Sequence, residues 1–256
     1  MVREAKHPVQ TTQKSLDIIE KLSEMGSAGV TELATELGMN KSIVHNHLRT
    51  LEERGYIVAE DEKYSLGLRF FQLGGKERRD RTLYQTAKHE IDETASEIQA
   101  SVNLAVEENG KCVYLYRACE DRSIDLEFSY EGMYEHMHQT AVGKAIMAYL
   151  PWERVEAIVD RHGLPQRTEH TITDLDELNE AFEQIRERGY ATDDEESILG
   201  LRCVAAPIRT GDGEILGSIS ISGPRSRFKN DTWSQTLPER VRDASNVIEL
   251  QFTGRS

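Results

Sequence analysis

The chain contains no apolar run of about eighteen residues and no basic-plus-apolar leader at Met1, so neither a membrane span nor a signal peptide is expected, and the cytoplasm is the expected compartment. It has only three cysteines, Cys112, Cys119 and Cys203, at spacings that match no zinc motif; they read as reduced thiols, not as a disulfide frame or a metal site. Lysine is scarce, 10 against 21 arginines, and basic charge as a whole falls short, leaving a net charge of -14. An acidic, lysine-poor surface resembles that of proteins from salt-loving organisms, where ions screen the self-repulsion. Internal repeats and low-complexity segments are also missing. The 256 residues leave room for two domains of ordinary size, each with its own core.

A strong acidic balance argues against nucleic acid as a partner, because phosphate binding needs cations. The distribution of the charge removes that objection. Residues 1–79 hold 12 Lys plus Arg and 12 Asp plus Glu, whereas residues 80–256 hold 19 and 33. The first part is neutral and the rest carries all the surplus acid.

The neutral part contains the stretch that organises the chain, residues 31–74. Leu33, Ala34 and Leu37 mark one face of a short helix that Gly38 can end. Asn40 is placed to cap a second helix over 41–54, whose apolar stripe is Val44, Leu48 and Leu51 and which stops at Gly55. At 100° per residue, Ser42, His45, Asn46 and Arg49 fall on the opposite face. These side chains can read base edges or hold phosphates, with Asn40, Lys41 and Lys63 as flanking contacts. Residues 56–59 and 63–66 read as strands joined by the turn Glu60-Asp61-Glu62, which makes a two-stranded wing. A first helix, capped by Thr11 or Thr12, presents Ile18, Leu22 and Met25 and ends at Gly26. The pattern indicates a winged helix-turn-helix, closed by a break at Gly74-Gly75.

Residues 76–101 are charged, free of Pro and Gly, and carry Tyr84, Ala87, Ile91, Thr94 and Ile98 in a narrow seam, which predicts a linker helix. Beyond it the period becomes two. Strands are expected at 102–106 and 113–116 around a turn at Glu108-Asn109-Gly110, then at 124–128, 202–209 and 215–222. Helices are expected at 141–149, 151–161, 175–188 and 233–252. Hairpin-paired strands with helices inserted between them indicate an α+β domain on an antiparallel sheet.

Three segments of that domain could carry chemistry. In HQTAVGKAIMA, small residues lead into a helix whose N-terminal N–H groups favour an anion; a tightly packed helix start would need the same residues. In GYATDDEESILGLRCVAAPI, four consecutive acids read as a solvated loop. Ser218, Ser220 and Ser222 share one strand face while Ile219 and Ile221 share the other, and hydroxyls facing together in a sheet need partners from a polar ligand, water or helix backbone. Cys203 with His138 has no surrounding nucleophile motif, and His136 and His138, expected to share a strand face, lack a third ligand at a fixed spacing. No cofactor, metal or catalytic set is therefore expected.

Along nearly its whole length the chain resembles the IclR family of transcriptional regulators. The resemblance rests on LATELGMNKSIVHNHLRTLEERGYI with YSLGLRFFQLG, on HQTAVGKAIMA, and on GYATDDEESILGLRCVAAPIR with GSISISGP. It implies a winged helix-turn-helix domain over residues 10–75, a linker helix over 76–101 and a GAF-like effector-binding and oligomerisation domain over 102–256. It also implies a homodimer or homotetramer on duplex operator DNA of catabolic genes, responding to a small organic acid or sugar-derived effector. The effector would meet the backbone of Ala141, Val142 and Gly143, with Asp193, Cys203, Ser220 and Ser222 around it and Leu201 as an apolar wall. The chain departs from the family pattern at Asn46-His47, where an Arg is common, and at Tyr134-Glu-His136, where Leu-Pro is usual.

Overall fold

The structure, a computed structural model, describes residues 6–119 and 130–254. The chain forms two compact units that part between Arg78 and Arg79.

In the first unit α1 (Gln10–Met25) starts at Val9, with no side-chain cap; Thr11 and Thr12, expected to cap it, lie inside its first turn. Ile18 and Leu22 are fully buried, whereas Met25 is exposed. In α2 (Val30–Glu36) the Glu32 carboxylate accepts the Gly29 N–H at 2.8 Å, and Gly38 leaves the helix at φ +61°. Helix α3 (Lys41–Glu53) is capped as expected, Asn40 Oδ1 accepting the Ser42 N–H at 2.8 Å. Its Val44 and Leu48 join Ile18, Leu22, Leu33 and Ile57 in one core. Strands β1 (Ile57–Glu60) and β2 (Lys63–Leu66) pair from Ile57 opposite Leu66 to Glu60 opposite Lys63. The turn is therefore two residues long instead of three, with Asp61 at φ +47° and Glu62 at φ +63°.

The expected break at Gly74-Gly75 is absent. Helix α4 (Arg69–Asp80) runs through both glycines, neither of which has a positive φ. A glycine costs a helix about 1 kcal/mol relative to alanine, which weakens it without ending it. The chain instead leaves helical geometry at Arg81 (φ -75°, ψ 120°), so two helices occupy the stretch read as one linker helix. The second, α5 (Thr82–Ile98), buries Leu83, Thr86, Ala87, Ile91, Thr94 and Ala95, while Tyr84 and Ile98 lie at the edge of the seam.

The second unit continues through β3 (Ser101–Glu108), β4 (Lys111–Cys119), β5 (Tyr134–His136), a 3-10 turn at Met137–Gln139, α6 (Ala141–Met147), α7 (Trp152–His162) and α8 (Leu175–Arg188). Then follow β6 (Ala191–Asp194), β7 (Leu201–Arg209), β8 (Ile215–Pro224), a π turn at Thr232–Thr236 and α9 (Leu237–Thr253). The strands form one sheet in the order β5-β4-β3-β8-β7-β6, with every neighbouring pair antiparallel. Asn109 (φ +56°) and Gly110 (φ +82°) make the tight β3–β4 turn. The strand expected at 124–128 lies outside the described residues.

Helices cover both faces. From α5 and α9, Ile91, Ala95, Val241 and Ile248 pack on Val102, Leu104, Ile219 and Ile221. On the opposite side α6 and α8 pack on Ala105, Cys112, Cys203 and Ala205. A strand covered on both sides alternates in size and polarity rather than in exposure, and β3 is buried continuously from Ser101 to Val106. The acid run is also corrected. It lies in and just after β6, where Asp193 is 1% exposed and Glu195 and Glu196 are each 9% exposed, so it is not a solvated loop.

Candidate functional site

Each unit carries one set of the residues singled out above. In the first, Ser42, His45, Asn46 and Arg49 are all exposed along one side of α3, with Lys41 exposed at its start and Lys63 exposed on the wing. The face is polar because Val44 and Leu48 commit the other side to the core. His47 turns away from it, its Nδ1 lying 2.8 Å from Ser15 Oγ on α1, which fixes the rotation of α3 within the unit. Asn40 spends its Oδ1 on the helix cap, and Arg49 Nη1 lies 2.8 Å from Glu52 Oε2 one turn on. The exposed Ile43, 38% accessible on the same helix, offers an apolar surface suited to a thymine methyl. It is visible in the sequence as the apolar residue of this helix outside the i, i+4, i+7 stripe.

In the second unit the expected effector residues lie in one layer between the sheet and α6. Ala141, Val142 and Cys203 belong to its apolar core, with Leu201 half-buried against it. Register sets two cross-strand rows. Asp193, Cys203, Ser222 and Ser101 are successive partners, as are Ala191, Ala205, Ser220 and Asn103. The side chains facing α6 are thus small or polar over four strands. Ser218 Oγ donates to the Val142 carbonyl at 3.0 Å, and Asn103 Nδ2 donates to Ser220 Oγ and to Ser222 Oγ, each at 3.3 Å.

At the start of α6, Thr140 Oγ1 accepts the Gly143 N–H at 3.1 Å, while the N–H groups of Ala141 and Val142 precede any intrahelical acceptor. Gly143 itself is a packing requirement: a Cβ there would come within 2.1 Å of the Met137 carbonyl oxygen. Asp193 is engaged by its own loop. Its Oδ1 accepts the N–H groups of Glu196 (2.8 Å) and Ser197 (3.2 Å), and its Oδ2 accepts the Ser197 hydroxyl. Lys144, 3% exposed, forms an ion pair with Glu196. Burial pushes the carboxyls of Asp193 and Glu196 above the usual range, and the Lys144 ammonium opposes that rise in both. Thr168 and Thr171 hydroxyls hold the carbonyls of Glu195 (2.6 Å) and Glu196 (2.7 Å), which anchors the loop from outside.

Neither Cys203 nor the histidines form a reactive set. Burial, helped by the neighbouring Asp193 charge, holds the Cys203 thiol well above its normal pKa, and His138 Nε2 lies 3.1 Å from the Pro165 carbonyl. His136 ends β5 and His138 sits in the following turn, their ring centres 5.7 Å apart, so they do not share a strand face. Desolvation, with Lys111 next, lowers the His136 imidazole to about 4. Among the described residues no group of three His, Cys, Asp or Glu is placed to hold a metal. Two open clefts, one beside Tyr149, Arg209 and Glu249 and one beside Trp152, Phe182 and Arg186, include none of the expected effector residues.

Sequence reasoning missed Asn103 and Lys144, although both left a signal. Asn103 is the polar residue within the apolar strand Val102-Asn-Leu-Ala-Val106, and Lys144 is the charge in the otherwise apolar Ala141-Val-Gly-Lys-Ala-Ile-Met147. A buried ammonium needs a carboxylate, and Glu196 is 52 residues away in the chain.

Residues 79–250 match the family model "Bacterial transcriptional regulator IclR C-terminal", and residues 11–61 match "IclR helix-turn-helix domain". The probable HTH-type transcriptional regulator ArcR of Halobacterium salinarum is 30% identical over 248 residues, covering 95% of this chain and 94% of that one. The HTH-type transcriptional regulator KdgR of Dickeya chrysanthemi is 32% identical over 243 residues, 94% of this chain and 79% of the relative. The crystal structure of Thermotoga maritima IclR superposes with a TM-score of 0.78 at 26% identity, over 95% of this chain and 99% of that one.

Proposed function

The chain belongs to the IclR family of transcriptional regulators, and from that premise we propose which residues and which ligand chemistry it uses. It is an effector-responsive, DNA-binding regulator built from an N-terminal helix-turn-helix and a C-terminal domain on an antiparallel sheet. Its operator is read by Ser42, His45, Asn46 and Arg49, with Asn40, Lys41 and Lys63 on the backbone phosphates. The observation that carries this assignment is the exposed polar side of α3, opposite Val44 and Leu48 in the core.

The effector is a small organic acid or sugar-derived acid. It lies between the start of α6 at Ala141, Val142 and Gly143 and the sheet face of Cys203, Ser220 and Ser222, with Leu201 at its apolar side and Asp193 holding the adjoining loop. The buried row of small and polar side chains supports this reading. The protein binds this acid without converting it, a reading supported by the protonated Cys203 thiol and by His138 being engaged at Pro165. The regulated genes are catabolic, as in the family. A homodimer or homotetramer presents paired α3 helices to two half-sites, and the effector acts by shifting the population of operator-competent arrangements. No helix among the described residues is long and apolar enough to cross a membrane, which is in keeping with a cytoplasmic regulator. Similarity to the Halobacterium salinarum regulator supports a salt-loving source for the acidic, lysine-poor composition.

Selection of bound duplexes from a random pool, followed by titration with and without small carboxylates, tests the whole reading. The expected outcome is a two-fold-symmetric site whose affinity changes with at least one acid. Binding without sequence enrichment, or indifference to every acid, would reject the operator or the effector assignment respectively.

A further inference from the structure

Asn103 stands in the middle of β3, 2% exposed and directly opposite Ser220 of β8. Its Nδ2 donates to Ser220 Oγ and to Ser222 Oγ, both at 3.3 Å. An amide nitrogen offers two hydrogens and no acceptor, whereas a serine hydroxyl has one hydrogen and two lone pairs. Each serine oxygen that receives an amide hydrogen must therefore point its own O–H elsewhere. Asp193, in the same layer, takes the N–H groups of Glu196 and Ser197 and the Ser197 hydroxyl. Cys203, the cross-strand partner of Ser222, is hydrogen-bonded to its hydroxyl, but a protonated thiol is a weak acceptor that an ionised carboxylate displaces.

Resting on the reading that an effector's acid head lies at these serines, we propose that Asn103 determines specificity there by fixing both hydroxyls as donors. The site then selects a head that only accepts hydrogen bonds, an ionised carboxylate, over a head of the same shape that brings its own N–H or O–H. Asn103 is a positioning residue, acting on the ligand through Ser220 and Ser222. The discrimination comes from polarity and not from shape, because a site with buried donors is left unpaired by a head that also donates.

The test uses calorimetric titration of the full chain with pyruvate, glycerate and gluconate, and compares the tightest binder with its own primary amide. The wild-type chain is expected to prefer the acid by about tenfold or more, the value of one lost bond to a charged group. Asn103→Asp is nearly isosteric but replaces a donor by an acceptor, so both serine protons turn toward the new carboxylate. Acid affinity should then fall by about a hundredfold while the amide is held nearly as before, which inverts the preference. Asn103→Ala frees the hydroxyls to rotate and should bring acid and amide close to parity. An unchanged ratio in both variants, whatever their absolute affinities, overturns the proposal and leaves Asn103 a packing residue. Should the Asp variant lack a cooperative melting transition, the Ala variant decides by the same ratio. A wild-type chain that binds none of the three acids overturns the carboxylate reading itself, and this inference with it.

Discussion

The polar face of α3 and the polar layer beneath α6 are opposite solutions to the same chemical need. On α3 the groups are exposed and lightly committed, with Arg49 holding a surface ion pair to Glu52 and Ser42, His45 and Asn46 presented to solvent. Under α6 they are buried and paired: Lys144 with Glu196, Asp193 with the Glu196 and Ser197 N–H groups, and Asn103 with two serines. An exposed polar group costs nothing to leave unpaired, whereas a buried one carries its full desolvation penalty. Substitutions on α3 should therefore change binding alone. Substitutions under α6 should change stability as well as binding.

The largest expected effect tests that contrast at its strongest point. Lys144→Met leaves two buried carboxylates without their ammonium and should destabilise the second unit by about 3–5 kcal/mol in urea unfolding. Adding Glu196→Gln should recover most of the loss. A loss below about 1 kcal/mol would mean that water reaches the pair, and the contrast between the two regions would weaken.

Next, Ser220→Ala with Ser222→Ala should lower acid affinity by about a hundredfold, equivalent to about 3 kcal/mol at 1.4 kcal/mol per tenfold. Because Asn103 Nδ2 loses its hydrogen bonds to the two serines, stability should also fall by about 1–3 kcal/mol. A change in only one of the two quantities would separate the ligand role of the serines from their folding role. On α3, Arg49→Ala should weaken operator binding by about 1–3 kcal/mol while unfolding stays within about 0.5 kcal/mol of wild type. Glu52→Gln should strengthen operator binding slightly, since it frees Arg49 and removes a charge that repels phosphate. The smallest effect concerns salt. With 12 cations balanced by 12 acids in residues 1–79, log affinity should fall against log salt with a slope well below about 10, and a steep slope would reveal local gathering of cations.

How much of each region is legible in the sequence follows from the range of its interactions. The first unit is built from local signals: Asn40 caps within two residues, Gly38 and Gly55 end helices at positive φ, and the wing pairs across two residues. The reading failed there at the start of α1, where Val9 and not Thr11 or Thr12 precedes the helix, at the exposed Met25, in the length of the wing turn, and at Gly74-Gly75, where two glycines look like a break although their helix cost is too small to cause one. In the second unit the serine face was legible from period two, but its partner Asn103 lies 117 residues from Ser220. Strands β5 and β6 span three and four residues, too short for a periodic signal. The acids at 193–196 were misjudged because composition cannot report the Lys144 and loop N–H groups that permit their burial. Pairing across the fold, not local propensity, decides what a charged residue is doing there.

The wing tip carries one further consequence. Asp61 and Glu62 both hold left-handed backbone angles that cost a side-chain-bearing residue about 1–2 kcal/mol each, and that Asn-Gly would adopt with little strain. Fold economy therefore favours a different pair, and the hairpin retains its acids against that preference. With Glu60 beside them, they make the wing tip a negatively charged promontory, an electrostatic fence at the border of a surface meant for a polyanion. Such a fence narrows the approaches open to a duplex. On the operator reading proposed above, the acids keep phosphate off the turn itself and leave Lys63, at the start of β2, as the wing's contact.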